Sequence, residues 1–306
     1  MSITLTQKTA KIKQAAYALG FDTCGIAKAD YVGEITENRF QEWLESNHHA
    51  EMSYMANHFE KRCNPTLLVE NARSVIVLSM NYFPETKQDT DLPQIAYYAY
   101  GNDYHDVIRE KLQQLFTYIH TEITPITGRC FVDTAPVLER YWAQQAGLGW
   151  IGKNNLLIIP GKGSYFFLSE LIIDLGLEYD QPMESRCGEC SRCITACPTD
   201  ALLPYKLDAR KCLSYLTIEK KGEFTDQEAE DLHNRLFGCD LCQTICPWNR
   251  FAKLNTTPEF APNETILKLS KDDWANLDEN SFRSLLHDSP IKRAKFSGIK
   301  RNLDRI

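Results

Sequence analysis

The sequence predicts a layered α/β (α+β) domain followed by a small cysteine-dense domain, and three observations carry that prediction. Helix-like and strand-like hydrophobic patterns alternate over the first 180 residues. Of eleven cysteines, Cys24, Cys63 and Cys130 are scattered through that region, whereas Cys187, Cys190, Cys193, Cys197, Cys212, Cys239, Cys242 and Cys246 fall within 60 residues. The polar, turn-rich stretch EYDQPMESR separates the two compositions. With 306 residues, 43% of them apolar, the chain has material for two packed cores. The expected bounds are 1–180, 181–250 and a basic helical or loop C-terminal tail over 251–306.

Each element follows from its local pattern. Ile12, Ala15, Ala16 and Leu19 lie at helical spacing over residues 6–19, and Gly20 then gives way to the strand-like FDTCGIA. SVIVLSMNYF (74–83) reads as a buried strand. From Asp103 onward, Ile108, Leu112, Leu115, Phe116 and Ile119 form one apolar helix face. GRCFVDTA, NNLLIIP and SYFFLSELIID supply further strands, and PVLERYWAQQAG reads as a helix with Pro136 in its first turn and Gly147 as its stop. Residues 251–306 read as short helices and loops without an internal repeat.

Composition narrows the function classes. No run of 18 apolar residues occurs, and MSITLTQKTAKIKQ lacks the apolar core of an export signal, so a cytoplasmic protein without a membrane partner is expected. A net charge of −7 excludes a chain that is cationic all over, but a local basic patch still permits nucleic-acid contact.

In a reducing compartment, clustered cysteines are metal ligands or redox centres rather than disulfides. Cys187-x2-Cys190-x2-Cys193-x3-Cys197-Pro198 has the spacing by which ferredoxins hold [4Fe–4S] clusters. Cys239-x2-Cys242-x3-Cys246-Pro247 repeats the end of that pattern, and position 236, where a first cysteine would complete it, is Leu236. Cys212 brings the count to eight, two clusters of four ligands. By the crossed two-cluster rule, Cys187, Cys190, Cys193 and Cys246 hold one cluster, and Cys197, Cys212, Cys239 and Cys242 the other. Structural zinc is the competing reading, but zinc ribbons separate two C-x2-C knuckles by about 15 to 20 residues. The insertion between Pro198 and Cys239 is longer than a minimal ferredoxin needs and suits covering a cofactor or touching a partner.

The first domain carries no G-x-G-x-x-G, no P-loop and no H-E-x-x-H. Its chemically loaded segments are EKRCNP (60–65), YGNDYHDV (100–107), and VDTAPVLER (132–140) leading into GLGWIGKNNLLI (147–158). Asp133 stands where a strand runs into a turn and can aim a carboxyl into a cleft; in an apolar pocket its pKa would rise and suit proton donation. The competing role is an N-cap for the helix near Pro136. Glycines in GLGWIGKN would let the backbone approach a bulky planar ligand, with Lys153 and Asn154 as polar contacts, or would make only a tight turn. His105 sits in a D-x-H triplet like the start of one cobalamin-ligating signature, but Ile108 stands where that signature has glycine. A hydrogen-bonding role near a helix start is expected for His105, with no histidine bound to cobalt.

Taken together, EKRxxP, GxDYHDVIREKL, VDTAPVLER, GxGWIGKN, CxxCxxCxxxCPTxAL, Cys-x-Ser-Tyr-Leu-Thr-Ile-Glu and GCDxCQxxCPWN stand in the order and spacing of the epoxyqueuosine reductase family, over about residues 5–303. This resemblance implies a nitroreductase-like, cobalamin-binding domain with a ferredoxin-like unit for two [4Fe–4S] clusters, similar to reductive dehalogenases. It implies reduction of epoxyqueuosine at the wobble position of a tRNA anticodon to queuosine. Carried over, it makes Asp133 the proton donor, Arg62 a cobalamin contact, and places Ser214, Cys239 and Asp240 beside the corrin. Two features depart from the pattern. Many members continue into a helical-repeat tail beyond the point matching Ile306, and a cysteine that some members offer near the cobalt has no counterpart in residues 94–100.

For the tRNA, residues 291–306 carry six cations against one Asp304. Lys292, Arg293, Lys300 and Arg301 there, with Lys220 and Lys221 in the insertion, are the expected phosphate contacts. A low-potential electron donor of unknown identity is implied, and a monomer is expected. The alternatives are a reductase of the same cofactor set acting on a small molecule, as a dehalogenase does, and an electron-carrier module without chemistry of its own.

Overall fold

A computed structural model describes residues 4–306. Its first half contains α1 (Leu5–Ala18), β1 (Thr23–Lys28), α2 (Glu34–Glu45), α3 (Phe59–Cys63), β2 (Ser74–Asn81), the two-residue β3 (Gln94–Ile95) and α4 (Tyr104–Tyr118). It continues with β4 (Gly128–Phe131), α5 (Glu139–Gln145), the short strands β5 (Trp150–Ile151) and β6 (Leu157–Ile158), and β7 (Phe166–Ile173). The second half contains α6 (Arg192–Thr195), β8 (Leu202–Leu203), β9 (Lys206–Leu207), α7 (Leu213–Ile218), α8 (Asp226–Asp231), β10 (Arg235–Phe237) and α9 (Leu241–Thr244). Four further helices close the chain: α10 (Glu264–Leu267), α11 (Lys271–Asn276), α12 (Glu279–Leu285) and α13 (Lys295–Leu303).

The main sheet has the order β1-β2-β7-β4, and every neighbouring pair is antiparallel. Both faces are covered, which is why β2 and β7 are mainly apolar and buried along their length rather than alternating. On one face Ile76, Leu78, Leu171 and Ile173 pack with Ile12 of α1 and with Ile108, Leu112 and Leu115 of α4. On the other, Val75, Val77, Leu168 and Ile172 meet Trp142, Ala143 and Ala146 of α5.

Two expectations about the second face need correction. The helix after Val132 starts at Glu139, so Pro136 precedes it instead of lying in its first turn. Leu138 occupies the N-cap position and there is no side-chain cap, so Asp133 does not cap this helix.

The division at residue 180 describes the chain better than the packing. β3 pairs in parallel with β10, and Ile95, Ala99 and Tyr100 share a core with Leu236, Phe237, Trp274, Ile291, Ile299 and Leu303. Residues 94–100 are thus a strap from the first half built into the second. The segment 251–306 is correspondingly no tail: α13 presents Ile299, Asn302 and Leu303 to that core, and Asn302 donates to the carbonyls of Thr217 and Leu236. Among the described residues, no helix is long and apolar enough to cross a membrane.

Candidate active site

All eleven cysteines are free thiols. The first four ligands expected to work together do meet: Cys187, Cys190, Cys193 and Cys246 line one cavity with Lys153, Asn154, Ile158, Pro247 and Trp248. That donor set and its shared cavity fit one [4Fe–4S] cluster. Short helices α6 and α9 pack against each other and present the two cysteine series from opposite sides. In the second set, burial first and then the neighbouring Cys239 and Cys212 raise the Cys242 thiol, while Cys197 acts on Cys212. The sulfur of Cys197 already accepts the Ala201 amide at 3.4 Å, as a cluster thiolate can. The thiols of Cys212, Cys239 and Cys242 resist ionisation through burial, which an iron cluster would reverse.

Lys153 and Asn154 serve these loops. Lys153 Nζ donates to the carbonyls of Gly188 and Cys190 at 2.7 and 3.0 Å, and Asn154 Nδ2 to that of Cys242 at 3.1 Å. The GLGWIGKN glycines answer to close packing: a Cβ on Gly149 would sit 2.1 Å from the Ile158 carbonyl. Arg62 is likewise inward, 8% exposed, donating to the carbonyls of Tyr54 and Asn57. These three side chains hold protein loops through those hydrogen bonds.

Asp133 follows the end of β4 in the left-handed region, at φ 54°. Its amide donates to Glu139 Oε1 at 2.7 Å, which pins the turn to the start of α5. Oδ2 accepts the Tyr104 hydroxyl at 2.6 Å and faces His105 Nε2 at 3.3 Å; His105 Nδ1 is 2.7 Å from Asp103 Oδ1. Asp103 caps α4 through the His105 amide and takes an ion pair from Lys292 at 2.9 Å. Tyr104 is fixed in turn by stacking on Phe167, with centroids 4.2 Å apart.

Electrostatics sort these groups. Burial lowers the His105 pKa, but the hydrogen bonds to Asp103 and Asp133 outweigh it and hold the imidazole at about 9, so both ring nitrogens donate at neutral pH. Burial pushes the Asp133 carboxyl up, and the bonds from His105 and Tyr104 more than offset this, leaving it below the usual carboxylate range. The expectation of a raised pKa at Asp133 is therefore corrected for this arrangement: a cation and a hydroxyl surround it, not an apolar wall. Glu139 goes the other way, up to about 8, through burial and the neighbouring Asp133.

Asp133 remains 56% exposed although Tyr98, Tyr104, His105, Glu139 and Arg140 lie near enough to act on it or feel it. In the second half, Asp240 Oδ2 accepts the Tyr97 amide at 2.7 Å, and burial pushes its carboxyl up to about 6. Tyr98, in the strap of residues 94–100, feels the charge of both Asp133 and Asp240. Ser214 Oγ accepts the Cys239 amide at 3.1 Å and sets the loop that carries Cys239 and Asp240. A half-exposed carboxyl, tyrosines and a loop carrying cluster ligands thus belong to one electrostatically linked region, a donor set compatible with a redox cofactor.

The expected phosphate contacts are mostly engaged. Arg293 pairs with both Glu219 oxygens at 2.9 and 3.0 Å, and Lys220 with Glu228 at 3.1 Å. Lys300 donates to the carbonyls of Trp274 and Ala275, and Arg301 to those of Leu216, Lys220 and Gly222. Lys221 is exposed, and only its amide is bonded, to Glu51. Sequence reasoning did not single out Tyr98, Tyr104, Glu139 or Glu170. For Glu170 a signal existed: one carboxyl in the apolar run FFLSELII.

Comparison with known proteins agrees with this geometry. Residues 62–134 match the family described as epoxyqueuosine reductase QueG, DUF1730, and residues 186–249 match a 4Fe-4S double cluster binding domain. An epoxyqueuosine reductase of Cellulophaga algicola is 48% identical over 294 residues, covering 96% of each chain. Among solved structures, an epoxyqueuosine reductase with an epoxyqueuosine-modified tRNA-Tyr stem loop superposes with a TM-score of 0.89 at 30% identity, over 98% of this chain and 80% of that one. An epoxyqueuosine reductase from Bacillus subtilis, whose aspartate-bearing catalytic loop is swung out of the active site, gives a TM-score of 0.87 at 29% identity, covering 98% and 81%. With close to half its residues identical along nearly the full length of a relative, this chain belongs to the epoxyqueuosine reductase family.

Proposed function

We propose that this protein reduces epoxyqueuosine at the wobble position of tRNA anticodons to queuosine, in the cytoplasm, with electrons from a low-potential donor entering through two [4Fe–4S] clusters. The observation that carries the reading is Asp133 itself: a half-exposed carboxyl on a left-handed turn, whose charge reaches the same Tyr98 as that of Asp240 beside cluster ligand Cys239. A carrier of electrons has no use for such a carboxyl, and neither fold nor chain order is that of a minimal ferredoxin. The first half serves as the cofactor-binding catalytic domain, nitroreductase-like in the family's manner. Residues 181–250 serve as the cluster domain, and 251–306 buttress it.

Cobalamin, when bound, supplies the two-electron reductant for the epoxide carbon, and the clusters supply its electrons singly. Asp133 from the first half, and Ser214, Cys239 and Asp240 from the second, would lie beside it. Arg62, Lys153 and Asn154 support it indirectly by fixing the 54–57 turn and the cluster loops.

Asp133 gives its proton to the departing oxygen. Its low pKa belongs to the arrangement with His105 and Tyr104 in contact. A carboxyl on a turn in the left-handed region can exchange those partners for substrate in a dry cleft, which favours the acid. The B. subtilis relative with its catalytic loop displaced supports such movement. tRNA is held chiefly through phosphates near Lys221, Lys292 and Arg293; the last two remain 46% and 59% exposed despite their ion pairs. Lys300, Arg301 and Lys220 shape that surface through their internal bonds.

Asp133→Asn tests the reading because it keeps shape and removes the acidic proton. Single-turnover conversion by prereduced holoenzyme should fall by about 10² to 10⁴, with cluster content, cobalamin binding and tRNA affinity retained. Undiminished conversion would reject the proton-donor role.

A further inference from the structure

Glu170 is the most anomalous side chain in the molecule. It lies in the middle of β7, paired across to Val77 on one side and Phe131 on the other, on the sheet face that packs against α5. It is 0% exposed, and neither carboxyl oxygen has a hydrogen-bond partner. An ionised carboxylate left so would cost several kcal/mol, so the group is held as the neutral acid. The charged groups that act on it, Glu139 from α5 and Asp133 from the turn after β4, carry its own sign, and both raise its pKa beyond what burial does. Arg140 and His105 reach Glu139 instead. Three carboxyls thus act on one another, Asp133 half-exposed and Glu170 fully buried, and burial with like charge favours the protonated form of Glu139 and Glu170.

The reaction's balance gives these carboxyls a use. Converting an epoxide to an alkene breaks two C–O bonds, forms one C=C π bond, takes up two electrons and two protons, and releases the oxygen as water. The electrons come from the reductant the activity already requires. Asp133 brings one proton, and the other must reach the same oxygen.

We propose that Glu139 and Glu170 are a buried carboxylic-acid pair that supplies the second proton, recharging Asp133 from the protein interior. Asp133, ionised by its first transfer, receives the proton of Glu139. The Glu139 carboxylate is then stabilised by the O–H of Glu170, a donor that lacks a partner in the resting state. Solvent restores Glu139 after product leaves. This inference rests on the reading of Asp133 as proton donor, and the test separates the two.

Infrared difference spectra of the full-length holoenzyme should show a neutral carboxylic-acid carbonyl band at pH 7 that shifts in deuterium oxide and is lost in Glu170→Gln. Absence of the band in the wild type, or its persistence unchanged in both Glu170→Gln and Glu139→Gln, would overturn the proposal. In prereduced single turnovers, Glu139→Gln and Glu170→Leu should lower alkene formation about tenfold at pH 8 and less at pH 6, where solvent protons compensate. Glu170→Leu removes an unpartnered polar group, so a purely structural residue predicts equal or higher thermal stability with full activity; full activity at pH 8 would sink the proton role. Loss of the pH 8 rate in His105→Gln alone, with both glutamate variants unaffected, would assign the second proton to the imidazole and likewise overturn it. Asp133→Asn should keep the infrared band while losing turnover; if it turns over normally with the band intact, the donor reading fails and not the buried pair.

Discussion

At the scale of single residues, function concentrates where side chains depart from their ordinary ionisation. His105 is tied to carboxylates at both nitrogens and is 24% exposed at its side chain. Its folded pKa of about 9 lies above the unfolded value near 6.5. The stabilisation from its charge is therefore fully present below about pH 6.5 and is lost as pH rises through about 9. Denaturation of His105→Gln should reproduce this: the variant is less stable than wild type at pH 6, and the difference shrinks toward zero above pH 9. A constant difference across that range would show that His105 contributes packing rather than charge. The sequence revealed Asp133 through its position after a strand, but not its ionisation. Tyr104 and His105 precede it by 29 and 28 positions, and only the return of α4 alongside β4 brings them to it.

At the scale of elements, the antiparallel sheet and its flanking helices were legible wherever hydrophobic periodicity ran long enough. α1, α4, β1, β2 and β7 fall where the pattern puts them. NNLLIIP shrinks to a two-residue strand, and the helix after Pro136 starts late, because short elements are decided by packing rather than propensity. In the C-terminal segment the short helices were legible, but the partners of its cations were not. Its charge was visible in sequence, but the carbonyls that its cations satisfy belong to residues 216–222 and 274–275. Arg301 also lies over the Phe224 ring at 4.2 Å. Arg301→Ala should destabilise the protein by about 2 to 3 kcal/mol in chemical denaturation, the range for charged hydrogen bonds at a half-buried site. Arg305→Ala, exposed on the same segment, should leave stability within about 0.5 kcal/mol. Equal effects from the two would mean that the internal bonds of Arg301 carry no weight.

At the scale of the whole molecule, two lobes are joined by exchange of segments rather than by a hinge. The cysteine spacing made the cluster domain legible almost completely; the strap of residues 94–100 was not, because a two-residue parallel pairing leaves no periodic trace. Anaerobically purified protein should contain about eight irons, by the two-cubane ligation. Cys212→Ala should abolish the paramagnetic signal of one cluster while the other persists, and two intact clusters in that variant would refute the ligand division. One line of contacts crosses the entire assembly: Lys292 to Asp103, Asp103 to His105, His105 to Asp133. Its outer end lies on the surface from which phosphate would draw the lysine away, and its inner end is the acid itself. A polyanion held there as proposed would be felt as a change of electrostatic potential at Asp133, so that the site would be tuned differently with a nucleic acid aboard than when the enzyme waits alone.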